Sequence, residues 1–194
     1  MKKILVVIFV LIASYSYAQD LKFGVKAGLN LSNVVGDDFE DVDMKSGLYF
    51  GGFLNVPLND RLSFQPELLY SRQGWKEDAV MLGSTNRDLK MKISYLNIPL
   101  LVRMGLGSSD KVYFYAGPQI GFFLKAEVEF DDNDEDAKDA FDSVDFSLNI
   151  GFSFVVGDNM SLDVRYNRGL SNIIDGGDIK AYNSVFQLGA SYSF

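Results

Sequence analysis

Strict two-residue alternation of apolar and polar side chains recurs eight times between Leu21 and the C-terminus, and nothing else in the chain constrains its fold as strongly. A period of two is the period of a strand with one apolar face. The first segment carries Phe23, Val25, Ala27, Leu29 and Leu31 on one face, with Lys22, Lys26 and Asn30 on the other. The last carries Phe186, Leu188, Ala190, Tyr192 and Phe194. Connections alternate in length. Asn59-Asp60, Gly105 to Asp110 and Gly157-Asp158-Asn159 are short and have turn chemistry, whereas 32–46, 76–90, 126–144 and 171–181 are longer. This pattern predicts an all-β chain: an eight-stranded antiparallel up-and-down transmembrane β-barrel with short periplasmic turns and long external loops.

Volume decides which face points outward. An eight-stranded barrel is just wide enough for side chains to fill it. The apolar set, rich in Phe, Leu and Ile, is too bulky for that interior, whereas Gly, Ser, Asn and Gln with a few charges fit it. The apolar stripe, including the terminal Phe186, Leu188, Tyr192 and Phe194, is therefore expected to face lipid. A one-residue slip would put Lys22 and Lys26 into hydrocarbon at roughly 2–4 kcal/mol each, so register should be firmly set. Trp75, Tyr70, Tyr95, Tyr113 and Tyr182 lie near predicted strand ends, where aromatic girdles belong. Pro66, Pro99 and Pro118 fall inside three strands and predict bulges or kinks there, because each removes a ladder donor.

Residues 1–19 are expected to be a signal peptide: Lys2 and Lys3, an apolar run from Ile4 to Ala13, then small residues up to cleavage after Ala18. Residues 20–194 are expected to form one barrel domain. The chain has no Cys and no His, which removes disulfides, the usual nucleophile–base pairs and the commonest metal ligand. Its net charge of −8 argues against nucleic acid as a partner. No glycine-rich phosphate loop is present. The chain is read as non-enzymatic, without cofactors.

Two groups of charges are candidate sites. The polar face offers Lys22, Lys26, Arg61, Arg103, Lys125 and Arg165 against Glu67, Asp145 and Asp163. A packed lumen in which these pair is favoured over an ion path, with Lys26, Glu67, Asp163 and Arg165 as the polar network and Glu67, Lys26 and Arg165 at its centre. The run from Glu127 to Asp145 is densely acidic. Asp132, Asp134 and Asp136 are its candidate calcium ligands, but neither the glycine nor the closing glutamate of an EF-hand follows. A solvated external loop is the favoured reading, and bridging through divalent ions to lipopolysaccharide phosphates is another.

Four segments carry a family resemblance: Gly24 to Asn30, Tyr95 to Leu101, Tyr115 to Gly121 and Leu162 to Tyr166. The chain resembles the small outer-membrane β-barrels of Bacteroidetes that include PorT-like proteins. That resemblance implies the bacterial outer membrane as location and, for the PorT branch, a part in protein secretion. It implies outer-membrane lipid and lipopolysaccharide, the barrel-assembly machinery and secretion-complex proteins as partners. The terminal aromatic is similar to the signal read by that machinery. The expected function is a structural or interaction component, accessory to secretion; the alternative is a narrow porin-like conduit or small-solute binding barrel.

Overall fold

The computed structural model describes residues 21–36, 43–82, 85–107, 111–130, 133–136, 141–174 and 180–194, of which 77–82, 85–89, 130 and 133–136 by backbone alone. The expected signal peptide and Asp132 lie outside the described residues. Among the described residues nine strands follow in order: β1 (Lys22–Val35), β2 (Asp43–Pro57), β3 (Leu62–Leu82), β4 (Thr85–Leu106), β5 (Val112–Phe130), β6 (Asn133–Asp136), β7 (Val144–Val155), β8 (Met160–Gly169) and β9 (Tyr182–Ser193). All pairings are antiparallel. The sheet runs β4-β3-β2-β1-β9-β8-β7-β5, and pairing of β4 with β5 closes it. Eight strands make the barrel. Among the described residues the ninth, β6, pairs only with Glu127 to Phe130 at the far end of β5.

Alternation has the expected sense. Val25, Leu29, Phe50, Leu68, Val102, Phe152, Leu162 and Leu188 are exposed on the wall, and so are Phe186, Tyr192 and Phe194. Lys26, Asn30, Gln65, Glu67, Asn97, Asn149, Asp163, Arg165 and Gln187 are buried inside.

Three expectations need correction. The stretches 76–82, 85–90 and 126–130 are strand, for β3 and β4 continue pairing up to Leu82 and Thr85, and β4 pairs with β5 up to Phe130. Prolines do not shift the register. Pairing passes from Pro66/Leu100 to Leu69/Asn97, and from Pro99/Gln119 to Val102/Ala116, without an inserted residue. The ladder lapses for two residues and resumes, because a missing donor costs a hydrogen bond and adds no length. The irregularities lie elsewhere, between Met44 and Tyr49, Glu77 and Val80, and Ser94 and Tyr95. Finally, Trp75 and Tyr95 point into the barrel and are almost fully buried, so neither belongs to a girdle.

Glycines and rings fit together inside. A Cβ on Gly24 would strike the Phe53 ring, one on Gly28 or Gly189 the Tyr49 ring, and one on Gly151 the Tyr115 ring at 2.7 Å. These inward glycines leave the floor on which three aromatic side chains lie, so a narrow lumen is filled without widening. Replacing Gly189 with Val should destabilise the barrel by about 1–3 kcal/mol through overpacking against Tyr49. Val at Gly52, which has only the Gly24 carbonyl near it at 3.5 Å, should be tolerated. The temperature at which the folded band on unheated gels converts to the unfolded one measures both. Equal loss in the two variants would rule out the ring contact as the cause.

Candidate functional site

The lumen is bridged across its diameter. Glu67 lies on β3 and Arg165 on β8, four strands apart in either direction around eight. Arg165 donates from Nη1 to Oε2 and from Nη2 to Oε1 of Glu67, each at 2.9 Å. This is the two-pronged geometry that a guanidinium and a carboxylate share. Lys26 of β1 donates to the same Oε1 at 2.9 Å, and Gln65 Nε2 does so at 2.8 Å. Asp163 completes the group with its Oδ1 3.8 Å from Lys26 Nζ, while Ser191 donates to its Oδ2 at 2.9 Å. Two cations and two anions thus meet with no net charge, their side chains at most 5% exposed. The Arg165 guanidinium also lies 5.1 Å from the centre of the Tyr115 ring.

Amides continue the network toward the long-loop end. Gln187 donates to Asn30 at 2.8 Å, and Asn30 donates to Ser71 at 2.9 Å. Across the barrel Asn167 donates to Ser147 at 2.8 Å. On the short-turn side, Arg103 points inward over the Tyr113 ring at 4.0 Å and donates long bonds to Gln65 and Ser153.

Above the amides the interior turns apolar. Val34, Trp75, Ile93, Tyr95, Ala126, Phe141, Ile173 and Ala181 form one buried cluster, with Met91, Phe123 and Ile174 packed on it. Phe141 stacks on Phe123 at 5.7 Å and meets Trp75 at 6.3 Å. The backbone of 141–142 is tied to 173–174 by a bridge and a 3.0 Å bond. This plug across the mouth is absent from the sequence-based expectation. Its signal was available in Trp75, a large apolar residue that follows Ser71 and Gln73 on the inward row of β3.

Of the charges expected in the lumen, Lys26, Glu67, Arg103, Asp145, Asp163 and Arg165 are there. Asp145 belongs to the upper level, where Asn183 and Ser171 donate to it at 2.9 Å each. Lys22 and Arg61 have the right parity but sit at the short-turn rim, exposed. Lys125 is outside, its side chain 59% exposed. Ser94 pairs with Lys125 while Tyr95 pairs with Phe123, so Leu124 is an extra residue that flips every later side chain of β5 to the other face. Among the described residues no group of three or more metal-binding side chains occurs. The side chains of Asp134 and Asp136 are not described.

The sequence profile of the outer membrane protein beta-barrel domain matches residues 17–175. The chain belongs to this family. It is a protein of the bacterial outer membrane. No curated protein sequence matches it. Its fold is similar to that of Neisserial surface protein A, at 16% identity and a TM-score of 0.56, covering 89% of this chain and 97% of that one. It is also similar to Ail, the attachment invasion locus protein of Yersinia pestis, at 17% identity and a TM-score of 0.54, covering 89% and 98%. At such identities the likeness is one of fold.

The long-loop end of this outer-membrane barrel carries an ordered charge contact of its own. Glu129, read from sequence as part of a solvated loop, lies on β5 and takes Lys92 and, at 3.0 Å, Lys90. Hydrogen bonds from Lys92 and then Lys90 hold its carboxyl down at about 2, against an ordinary 4.5. Its support of β4–β5 pairing is therefore complete above about pH 4.5 and lost as pH falls through about 2. The Glu129 carboxyl resonance should titrate near 2; a midpoint at the ordinary value would show that the two lysines do not hold it.

Removing the Glu67 charge should be costly. Glu67→Gln leaves Arg165 and Lys26 buried against Asp163 alone, and the expected loss is about 3–5 kcal/mol. Urea unfolding in lipid vesicles measures it, with Arg103→Gln as the comparison. If Glu67→Gln unfolds at the wild-type urea midpoint, the diameter bridge does not hold the lumen together.

Proposed function

We propose that this protein is a non-enzymatic, non-conducting interaction component of the outer membrane. The observation that carries this reading is closure of the lumen at two levels, by the Glu67 ion cluster and by the apolar plug around Trp75 and Phe141. A solute would have to break a bridge spanning the barrel diameter, then part the buried aromatic cluster. The four central charges, Lys26, Glu67, Asp163 and Arg165, are paired with one another and therefore spent on filling the barrel, while Asp145 stands apart from them and is held by Asn183 and Ser171. What the barrel presents to partners is its outer wall and the extended β3–β4–β5–β6 sheet. A part in protein secretion, which the PorT-like resemblance implies, is the finer form of this reading, with the partner held by that sheet or by the periplasmic turns.

Two measurements test it. Purified barrel in a planar bilayer should give no single-channel steps, and in-cell cross-linking from the β3–β4 extension should recover a stoichiometric protein partner. Discrete steps whose size changes in Arg165→Ala would overturn the sealed lumen and establish the narrow conduit instead.

A further inference from the structure

From the central ion cluster down to the short turns, the lumen holds Lys26, Arg103 and Arg165 against Glu67 and Asp163. Four of these charges neutralise one another in contact. Arg103 is the fifth, and among the described residues it forms no ion pair. Its two bonds go to neutral oxygens, from Nη1 to Gln65 Oε1 at 3.4 Å and from Nη2 to Ser153 Oγ at 3.3 Å. Both are longer than ordinary N–H···O bonds. The Gln65 oxygen is also shared with Asn55, at 3.2 Å. The Nε of Arg103 is buried with no acceptor among the described residues. A buried donor on a charged group is costly to leave without an acceptor, so this position calls for one.

A ring rather than a charge holds Arg103 in place. Its Cζ lies 4.0 Å from the centre of the Tyr113 ring. That ring supports the face of the guanidinium, whereas its N–H groups point along the edge. The side chain leans toward the short turns, since Tyr113 and Ser153 lie near the strand ends at Val112 and Val155. Just above it Gln65, Leu101, Tyr115 and Asp163 are buried. The partial exposure of Arg103 therefore opens on the short-turn side. Inward positions around it are small and polar: Asn55, Ser63, Ser153 and Ser161. This end of the lumen is a polar mouth, in contrast to the apolar plug at the other.

Charge and width identify the ligand. One negative charge would bring this part of the lumen to neutrality, and a dianion would leave a buried charge over. Asp145 does not supply it, for it lies roughly 25 Å along β7 from Ser153, beyond the central cluster. Nor does the rim. Among the described residues there, Lys22, Arg61 and Lys111 stand with Asp60 and Asp158, all exposed to water and salt that screen them. An eight-stranded lumen admits only a slender group. A carboxylate is flat and singly charged, and it takes a guanidinium through two parallel bonds, as Glu67 does with Arg165.

We propose that Arg103, backed by Tyr113 and flanked by Asn55, Ser63 and Ser153, binds the carboxylate of a slender monoanion that enters from the periplasmic side. A small organic acid and the C-terminus of a polypeptide tail are the two sources of such a group. Binding exchanges two long bonds to neutral oxygens for a charge-assisted pair and gives Nε an acceptor. The site is independent of conduction, because a sealed barrel and a narrow conduit would both keep this mouth.

The test is an NMR titration of the full folded barrel in lipid nanodiscs. It follows the Arg103 Nε–H resonance, assigned by its absence in Arg103→Gln, with the Ser153 backbone amide as a second probe. Acetate should move both along a saturable curve, and sulfate, a permanent dianion, should bind more weakly. In Arg103→Gln the acetate response of the Ser153 amide should disappear. Arg103→Lys, which keeps the charge and loses the fork, should bind acetate about tenfold more weakly. Both variants should unfold at the wild-type temperature. A glycine–serine tetrapeptide that binds more tightly than acetate, and more tightly than its own C-terminal amide, assigns the carboxylate to a polypeptide tail. Equal affinity of that peptide and acetate assigns it to a small acid. Absence of a saturable acetate shift, an unchanged response in Arg103→Gln, tighter binding of sulfate than of acetate, or equal binding of the peptide and its amide would overturn the proposal.

Discussion

The Glu67 carboxylate is the point on which the interior turns. It accepts from Arg165 across the full diameter, from Lys26 on an intermediate strand and from its near neighbour Gln65. Residues 98 positions apart in sequence are thereby fixed face to face. Each of these groups is costly to bury alone, and the outer wall forces their burial, because an apolar belt in lipid leaves the polar face of every strand no other direction. The ion cluster follows from the wall, and the lumen's closure follows from the cluster.

Space imposes the second condition. Phe53, Tyr49 and Tyr115 are large rings in an interior only a few side chains wide. They fit because Gly24, Gly28, Gly151 and Gly189 occupy inward positions on the strands beside them. Rings and charges are layered together: Arg165 lies against Tyr115, and Lys26 is 5.8 Å from the centre of the Phe53 ring. An interior packed this way is rigid, and a rigid anchor is what an extended sheet outside the membrane needs if it is to present a defined surface.

Alternation made the strand count, the closure and the outward stripe legible before any coordinates, since parity is local and an eight-strand count leaves few ways to close. The same parity brought Lys26, Glu67, Asp163 and Arg165 to one face. It failed where one residue broke the count. Leu124 is invisible as an insertion in sequence, yet it carries Lys125 outside and Ala126 inside. Height along the axis was equally hidden. Lys22 and Arg61 share the inward parity but sit at the rim, and Trp75 and Tyr95, placed by composition at an interface, fill the mouth instead. Prolines were misjudged for a different reason: a lost donor interrupts a ladder, but only an added or deleted residue changes its register.

Closing a sheet into a cylinder removes its edges, and β6 brings them back. Beyond the membrane the cylinder becomes an open sheet, with β6 on one border and the end of β3 on the other. Among the described residues neither border has a further partner, and such a border invites any extended chain to add itself. The bordering strand here is Asn-Asp-Glu-Asp, four residues with three carboxylates. A neighbouring copy bringing the same strand alongside would place acid against acid, so the outer sheet carries its own barrier to self-association in a membrane where barrels crowd one another.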